Sequence, residues 1–182
     1  HKGLFKIRPK EIKGIKLVYV PTIETKILSQ PIHSFLSIIH ACFSNTDVLL
    51  VVNSANGPFG LLTKLFRIPT AINVDGLEWL RPKWKGLGSI YFKWASKMAT
   101  LFYDQIINDS DEMRKVYLNL FKRDSKVIAY GADIRKSKNP ELITSWDIKK
   151  REYYLVIGML IPDNNAELII KGFVKANSNK KL

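Results

Sequence analysis

The sequence contains very little cysteine, few acidic residues for its number of basic ones, and no long hydrophobic run. The single cysteine, Cys42, excludes an internal disulfide and fits a reducing compartment such as the cytosol. No apolar run approaches the roughly 18 to 20 residues that a bilayer-spanning helix needs. The apolar content of 46% nevertheless predicts a globular protein rather than a disordered one.

Acidic residues are outnumbered by basic ones, 16 against 29, which gives a formal net charge of +13. Such a charge attracts anions, among them nucleotide-sugar phosphates, an anionic lipid leaflet or nucleic acid. Scattered lysines also serve solubility alone. Because the Lys-rich stretches are not interleaved with aromatic residues, and no zinc-ligand spacing occurs, we expect no nucleic-acid partner.

Three common ligand-binding motifs are missing from the sequence. There is no G-x-G-x-x-G after a predicted strand, no phosphate-binding G-x-x-x-x-G-K-[ST], and no H-E-x-x-H. These absences exclude the fingerprint of a dehydrogenase-type dinucleotide fold. His33 and His40 lie seven residues apart on one predicted helix and are interpreted as surface or core histidines. We therefore expect neither a metal site nor a cofactor.

Short apolar runs of strand length alternate with segments of helical periodicity. Within the predicted helix 89–103, Ile90, Trp94, Met98 and Leu101 recur at three- and four-residue steps and predict a buried face. Alternating strands and helices predict an α/β fold with a Rossmann-like parallel sheet and flanking helices. The predicted strands are 15–20, 47–52, 69–74, 105–108, 126–130 and 153–157. The predicted helices are 29–43 (with Ser29 as its cap), 59–66, 89–103, 110–121 and 165–176.

The pattern predicts two domains of unequal completeness. Residues 1–133 form the first α/β domain, residues 134–150 a linker without steady periodicity, and residues 151–182 the start of a second α/β domain. The sequence has no initiator methionine, and its last residues resemble the entrance to a further strand. We therefore expect it to be a fragment of a longer protein, lacking the start of the first domain and most of the second.

Polar side chains follow four of the predicted strands. Because the carboxyl ends of parallel strands meet at one edge of a sheet, we expect these loops to converge. Their amides, hydroxyls and carboxylates suit a polyhydroxylated ligand and an anion. The second loop, residues 75–84, holds two carboxylates, two cations and two tryptophans, although a solvated loop with its tryptophans folded onto the core is an alternative. The candidate residues in the other three loops are Asn53, Ser54, Asn56 and Gly57; Asn108, Asp109 and Ser110; and Tyr130, Gly131, Ala132 and Asp133.

Several of these stretches resemble family-4 glycosyltransferases of GT-B fold. The most specific is Asn-Val-Asp-Gly-Leu-Glu-Trp-Leu-Arg-Pro-Lys-Trp, residues 73–84; Ile-Asn-Asp-Ser, Ala-Tyr-Gly-Ala-Asp and Tyr-Leu-Val-Ile-Gly-Met-Leu-Ile-Pro-Asp-Asn-Asn are shared more widely. The similarity is to the rhamnosyltransferase-like branch of bacterial capsule and cell-wall synthesis and runs from about Val48 to Leu182. It implies an acceptor-side N-terminal domain, a C-terminal nucleotide-sugar domain, and metal-independent transfer that retains the anomeric configuration.

The resemblance also implies roles for individual residues. Asp75 and Glu78 would be catalytic residues in the cleft. Met159 departs from the family, which usually has arginine after the glycine of the donor-phosphate loop. The converging loops and the resemblance together give the residues expected to bind substrate, which are Asn53, Asn56, Gly57, Gly76, Arg81, Lys83, Trp84, Asn108, Asp109, Ser110, Gly131 and Asp133. The donor-phosphate loop would comprise Gly158, Asn164 and Asn165.

The expected function is therefore transfer of rhamnose or another hexose from a nucleotide-sugar to a glycan or lipid-linked acceptor in polysaccharide synthesis. The fragment alone is expected to be inactive, because half of the implied cleft is missing. The expected location is cytoplasmic, with possible peripheral contact with an anionic membrane. Two alternatives are kept open: a non-catalytic remnant that binds a sugar nucleotide or glycan, and a basic nucleic-acid-binding α/β module.

Overall fold

The structure is a computed structural model that describes residues 8–25, 27–161 and 164–182. The chain divides into two compact units. The first comprises the residues up to Leu80 together with Trp84–Tyr130, and the second comprises Arg81–Lys83 together with Gly131–Leu182. The first unit carries a four-stranded parallel sheet flanked by helices, so the predicted Rossmann-like α/β class is confirmed.

The first unit begins with a small hairpin rather than with a strand of the main sheet. Strands β1 (Glu11–Ile12) and β2 (Ile15–Lys16) pair in antiparallel fashion. The two residues between them, Lys13 and Gly14, both have positive φ, as the tightest hairpin turns require. The predicted strand 15–20 was therefore wrong beyond Lys16, because the β-branched residues pair locally instead of entering the parallel sheet.

The parallel sheet has the strand order β3-β4-β5-β6, which is also their order in the chain. Each connection between neighbouring strands contains a helix, as parallel pairing demands. The strands are β3 (Leu49–Val52), β4 (Thr70–Asn73), β5 (Gln105–Asn108) and β6 (Lys126–Val127). The α-helices of this unit are α1 (Ser29–Cys42), α2 (Gly60–Leu65), α3 (Leu87–Phe102) and α4 (Asp111–Phe121), and 3-10 helices span Ser54–Phe59 and Glu78–Leu80.

Helix α1 starts as predicted, but its cap differs. Ser29 is the first helical residue rather than the cap, and the N-cap position is Leu28, whose side chain cannot accept a hydrogen bond. The Leu28 N–H donates instead to the Thr25 hydroxyl at 3.0 Å. Thr25 therefore satisfies an end group of the helix from three residues upstream.

The core lies between the sheet and the helices of the first unit. Ile72, Val74, Ile106 and Tyr117 have no exposed surface. Asp104 links two strands, because its carboxylate accepts hydrogen bonds from the Thr70 N–H at 2.8 Å and from the Thr70 hydroxyl at 3.2 Å. The continuous apolar runs of the sequence thus became strands covered by helices, as expected for a parallel sheet.

The buried face of α3 is not the predicted one. Ile90, Trp94 and Leu101 are 66%, 47% and 52% exposed, whereas Ala95 and Ala99 are fully buried. The small side chains let the helix backbone approach the 3-10 helix Ser54–Phe59 closely. The buried face of α3 therefore consists of Phe92 and several small residues packed closely against the 3-10 helix. Of the predicted stripe, Met98 is half-buried and the other three residues face outward.

The second unit contains the 3-10 helix Pro140–Trp146, helix α5 (Ala166–Lys175) and an isolated parallel bridge between Tyr153 and Lys181. The prediction of a strand at 153–157 was wrong, because only Tyr153 makes a bridge among the described residues. Residues 128–130, predicted to continue a strand, likewise leave the sheet after Val127. Strand residues need a hydrogen-bonding neighbour along their length. In the described chain the Ile128 N–H still donates to the Asn108 carbonyl, and the Tyr154 N–H to the Lys181 carbonyl, but neither ladder is extended beyond these residues. Over the described residues, no helix combines the length and apolar character needed to cross a membrane.

Candidate functional site

The parallel pairing brings the loops after β3, β4 and β5 to one edge of the sheet, as predicted. Val52 pairs with Asn73 at the carboxyl ends of β3 and β4, and Asn73 pairs in turn with Ile107 of β5. The loop that leaves β6 begins beside Asn108 of β5. Ligands of open α/β sheets bind outside this edge, so it is the natural place for a site.

Asp75 is the exposed carboxylate at the centre of this edge. The Tyr130 hydroxyl donates to its Oδ2 atom at 3.3 Å, which joins the loop after β4 to the chain that follows β6. The negative charge of Asp75 raises the pKa of the Tyr130 phenol, and Asp109 contributes a smaller effect of the same sign. Asp75 and Tyr130 are in contact, and Asp109, which follows the neighbouring strand β5, is near enough to act on the phenol electrostatically. We call Asp75, Asp109 and Tyr130 the carboxylate rim.

The contact between Asp75 and Tyr130 allows a prediction about the pKa of Tyr130. Replacing Asp75 with asparagine removes the main charge that opposes phenolate formation, so the pKa of Tyr130 should fall toward its ordinary value. The pKa is measured by NMR titration of ring-labelled tyrosine, with Tyr130→Phe to assign the signal. Asp47→Asn, at the opposite end of β3, should leave the pKa unchanged. An unaltered Tyr130 titration in Asp75→Asn would show that the two side chains do not meet.

Glu78 is the second carboxylate of the loop after β4. Its Oε2 atom accepts a hydrogen bond from the Trp84 indole N–H at 2.7 Å. The Trp84 ring packs against Phe92, with centroids 4.8 Å apart, and Gly88 leaves room for it, since a Cβ there would lie 3.3 Å from the ring. The Glu78 carboxylate is therefore held by a tryptophan that is itself packed against α3.

Of the two tryptophans in this loop, Trp79 has a structural role. It is buried, stacks edge-on against Phe121 at 6.1 Å, and its carbonyl oxygen accepts a hydrogen bond from the Ser89 hydroxyl. The alternative of tryptophans folded back onto the core therefore holds for Trp79, and half-buried Trp84 also packs against the core through Phe92. Gly76 has room for a Cβ, which would lie 3.6 Å from the Glu78 Oε1 atom.

The residues after β3 are used mainly for local structure. The Asn53 side chain accepts a hydrogen bond from the Ala55 N–H at 2.9 Å and caps the following 3-10 helix. Asn56 is buried, and its amide donates to the Val52 carbonyl at 2.8 Å. Gly57 faces α3, where an added Cβ would lie 1.9 Å from the Ala95 carbonyl oxygen. Capping and packing account for Asn53, for Gly57 and for the amide nitrogen of Asn56. The buried Asn56 Oδ1 atom has no hydrogen-bond partner among the described residues.

Asn108 and Ser110 also stabilise the fold around the edge. Asn108 is fully buried, donates to the Val74 carbonyl at 3.1 Å and accepts a hydrogen bond from the Ser125 hydroxyl, so it ties the ends of three strands together. Ser110 is the N-cap of α4, because its Oγ atom accepts from the Met113 N–H at 3.4 Å. The Ser110 hydroxyl also donates to Asp109 at 3.1 Å and so orients a member of the carboxylate rim.

Four of the predicted substrate-binding residues belong to the second unit: Arg81, Lys83, Gly131 and Asp133. Asp133 forms an exposed ion pair of 3.3 Å with Arg135. The predicted substrate-binding residues at the end of β5 or in the loops after β4 and β5, all within the first unit, are Gly76, Trp84, Asn108, Asp109 and Ser110.

The predicted donor-phosphate loop lies entirely in the second unit. The Asn164 amide donates to the Met159 carbonyl at 2.8 Å, and a Cβ at Gly158 would lie 3.3 Å from that amide nitrogen. Asn165 precedes α5 in a left-handed conformation with φ of 52° and makes no side-chain cap. Gly158, Met159 and Asn164 line an apolar groove. Among the described residues that line it, none has a positively charged side chain.

A buried group of hydroxyls near the edge was not found from the sequence. Tyr117 is fully buried, and desolvation raises its pKa to about 12 against the opposing effect of the Ser96 and Ser54 hydroxyls. Hydrogen bonds of good geometry are lacking for these three oxygens among the described residues. The sequence gives no signal for this group, because Ser54, Ser96 and Tyr117 lie in three separate helical segments. Serine and tyrosine are also common on exposed helix faces.

The side chains of the carboxylate rim can form hydrogen bonds with a hydroxylated ligand. No group of three or more histidine, cysteine, aspartate or glutamate side chains lies close enough to hold a metal ion in the described part of the chain. The carboxylates can accept hydrogen bonds, and the phenol can donate or accept one, so the rim can pair with hydroxyl groups of a ligand.

Comparison with known proteins gives a family match. The family described as domain of unknown function (DUF1972) matches residues 36–133, more than half of the chain. This domain is associated with glycosyltransferase-like proteins. No curated protein matches the chain. The match runs from the middle of α1 past the end of the sheet and includes the whole carboxylate rim. The chain therefore belongs to the DUF1972 family.

Proposed function

We propose that this chain is part of a glycosyltransferase that moves a hexose, rhamnose foremost, from a nucleotide-sugar to a glycan or lipid-linked acceptor in polysaccharide synthesis. The observation that carries the proposal is the carboxylate rim at the carboxyl edge of a parallel sheet. The association of the family with glycosyltransferase-like proteins supports it. The motif from Asp75 to Trp84 supports the rhamnosyltransferase-like branch.

Asp75 is proposed to contact the reacting sugar. In glycosyl transfer the anomeric carbon exchanges its bond to the nucleoside diphosphate for one to an acceptor oxygen, and the acceptor hydroxyl loses its proton. A carboxylate within hydrogen-bonding distance of a sugar hydroxyl fixes the attacking oxygen relative to that carbon. Asp75 is exposed at the edge, and its Tyr130 contact shows that it already accepts a hydrogen bond from a hydroxyl.

Glu78 is proposed to act beside Asp75, with Trp84 as a positioning residue. The 2.7 Å hydrogen bond from the Trp84 indole fixes one carboxylate oxygen of Glu78 before any ligand arrives. Preorganised polar groups of this kind lose little entropy when the substrate binds. The transfer is proposed to retain the anomeric configuration, to need no metal or cofactor, and to take place in the cytoplasm.

A second candidate function is a non-catalytic protein that binds a sugar nucleotide or glycan. The observation that favours it is Met159 in the apolar groove of the second unit, where a transferase benefits from a cation that neutralises the leaving diphosphate. Both candidates require sugar recognition at the carboxylate rim, and they differ only in turnover.

A ligand screen by thermal unfolding tests the proposal. We expect at least one nucleoside-diphosphate hexose, with a rhamnose donor among those tried, to raise the melting temperature of the gene's complete product. A ligand present at about 100 times its Kd stabilises the native state by about 2.7 kcal/mol. The matching nucleoside monophosphates and free hexoses serve as controls. No shift with any donor would contradict the proposal, and a shift without turnover would select the second candidate.

A further inference from the structure

The outward face of α3 carries large apolar side chains that the fold does not cover. Ile90, Trp94 and Leu101 follow one another at steps of four and seven residues, which places them along one line of the helix. Leu120, near the end of α4, is 52% exposed and lines the same shallow groove. Exposed apolar patches on soluble domains mark sites of interaction.

Lysines surround these apolar side chains. Lys97 lies on the same line of α3, between Trp94 and Leu101, and Lys93 lies one step to the side. Lys122, just after α4, lines the groove from its other wall. None of the described residues that line this groove is acidic, and helix α3 contains no acidic residue.

We propose that this surface docks the protein on an anionic lipid bilayer. The docking surface consists of Ile90, Lys93, Trp94, Lys97, Leu101, Leu120 and Lys122. An anionic bilayer is the partner whose chemistry matches both of its features, because its headgroups attract lysines and its interfacial region accepts tryptophan and aliphatic side chains. The proposal goes beyond sugar transfer and does not depend on Asp75 or Glu78.

The geometry suits a helix that lies flat on the membrane. Helix α3 has 16 residues, so it is about 24 Å long. Its small residues, Ala95 and Ala99, pack inward, which leaves the apolar line free to enter the interface. The lysine stems can lie along the apolar surface while their ammonium groups reach the headgroups.

Nucleic acid is a poorer match for the same surface. Phosphates would attract the lysines, but single strands bind mainly through stacking on several aromatic rings. Trp94 is the one aromatic side chain of the docking surface, because Phe121, which also lines the groove, packs inward against Trp79 and the core. Three aliphatic side chains between the lysines would lose water contact against a bilayer but not against a phosphate backbone.

Vesicle co-sedimentation of the full chain tests the docking surface. The protein should bind vesicles of phosphatidylcholine with about one-third phosphatidylglycerol and bind pure phosphatidylcholine vesicles much less. The double variant Lys93→Gln/Lys97→Gln should bind about thirtyfold more weakly, since each lysine near an anionic surface contributes about fivefold. Trp94→Ala should weaken binding about tenfold through lost apolar burial.

Matched variants separate the docking surface from a general effect of charge. Lys13→Gln/Lys16→Gln removes two exposed lysines of the β1–β2 hairpin, and Trp146→Ala removes an exposed tryptophan of the second unit; both should bind nearly as the parent chain does. Equal losses in the two lysine pairs would overturn the proposal. So would a lack of vesicle binding, or DNA-duplex binding that Lys93→Gln/Lys97→Gln abolishes while vesicles are ignored.

Discussion

Replacing Gly57 with alanine is expected to destabilise the first unit by about 3 kcal/mol or more and to lower the melting temperature by about 10 °C. An alanine Cβ would lie 1.9 Å from the Ala95 carbonyl oxygen and 2.8 Å from the Ala99 nitrogen. Both atoms belong to the backbone of α3, so rotation of a side chain cannot relieve the clash. The helix must move away from the 3-10 helix Ser54–Phe59, and the packing of the core around it is lost.

Gly172→Ala is the control for this experiment. A Cβ at Gly172 would meet nothing within 4 Å, and the residue lies inside helix α5, where alanine is favoured over glycine. Its melting temperature should stay the same or rise slightly. Thermal unfolding followed by circular dichroism compares the two variants with the parent chain. A Gly57→Ala protein as stable as the parent would show that α3 does not approach the 3-10 helix as closely as described.

Loss of the carboxylate charges should have the largest effect on activity. In the gene's complete product, Asp75→Asn and Glu78→Gln are each expected to lower kcat by about a hundredfold or more, the usual effect of removing a group that orients or stabilises the reacting atoms. Both substitutions preserve side-chain size, and Asp75 is exposed, so the melting temperature should change little. Release of nucleoside diphosphate from the donor measures the rate.

The variants of the same loop distinguish contact with substrate from positioning. Glu78→Gln keeps an oxygen that can accept the Trp84 indole hydrogen bond, whereas Trp84→Phe removes the donor and leaves the charge. Trp84→Phe should therefore lower kcat less than Glu78→Gln and leave KM close to that of the parent. Asp47→Asn, at the amino edge of the sheet, should be fully active. Normal rates in both Asp75→Asn and Glu78→Gln would remove these residues from the proposed mechanism.

The fold class could be predicted from the sequence because the strands coincide with short apolar runs. Leu49–Val52 and Thr70–Asn73 lie in short apolar runs, and each is followed by a helical segment. Buried strands with crossover helices have few alternatives to a parallel sheet. The start of helix α4 could also be predicted from the sequence. Ser110 caps the helix, and the acidic side chains of Asp111 and Glu112 interact favourably with its positive end.

The buried face of α3 could not be predicted from its periodicity. Two faces of the helix repeat at helical spacing. One is large and apolar through Ile90 and Trp94, and the other consists of Phe92 followed by the small residues Ala95 and Ala99. Hydrophobicity favours the first face. Close packing against a glycine favours the second face. The glycine that α3 packs against is Gly57, which is distant in sequence, so the periodicity of the helix alone does not reveal the contact.

The candidate site was predictable in outline but not in its partners. The sequence placed Asp75 after a strand and therefore at the edge of the sheet. It did not show that the Tyr130 phenol would meet the Asp75 carboxylate, since the two residues are 55 positions apart. It also could not show that Asn53, Asn56 and Asn108 serve capping and strand contacts, because asparagine has the same chemistry in a binding loop as in a turn.

Amide NMR with sugar ligands tests the central claim, that sugars are recognised at the carboxylate rim. The isotopically labelled chain is titrated with oligosaccharides that end in rhamnose, glucose or galactose. We expect the shifts of at least one ligand to concentrate at Asp75, Gly76, Asp109 and Tyr130 and to disappear in Asp75→Asn. Shifts confined to the amino edge of the sheet around Asp47, or unchanged by Asp75→Asn, would contradict it.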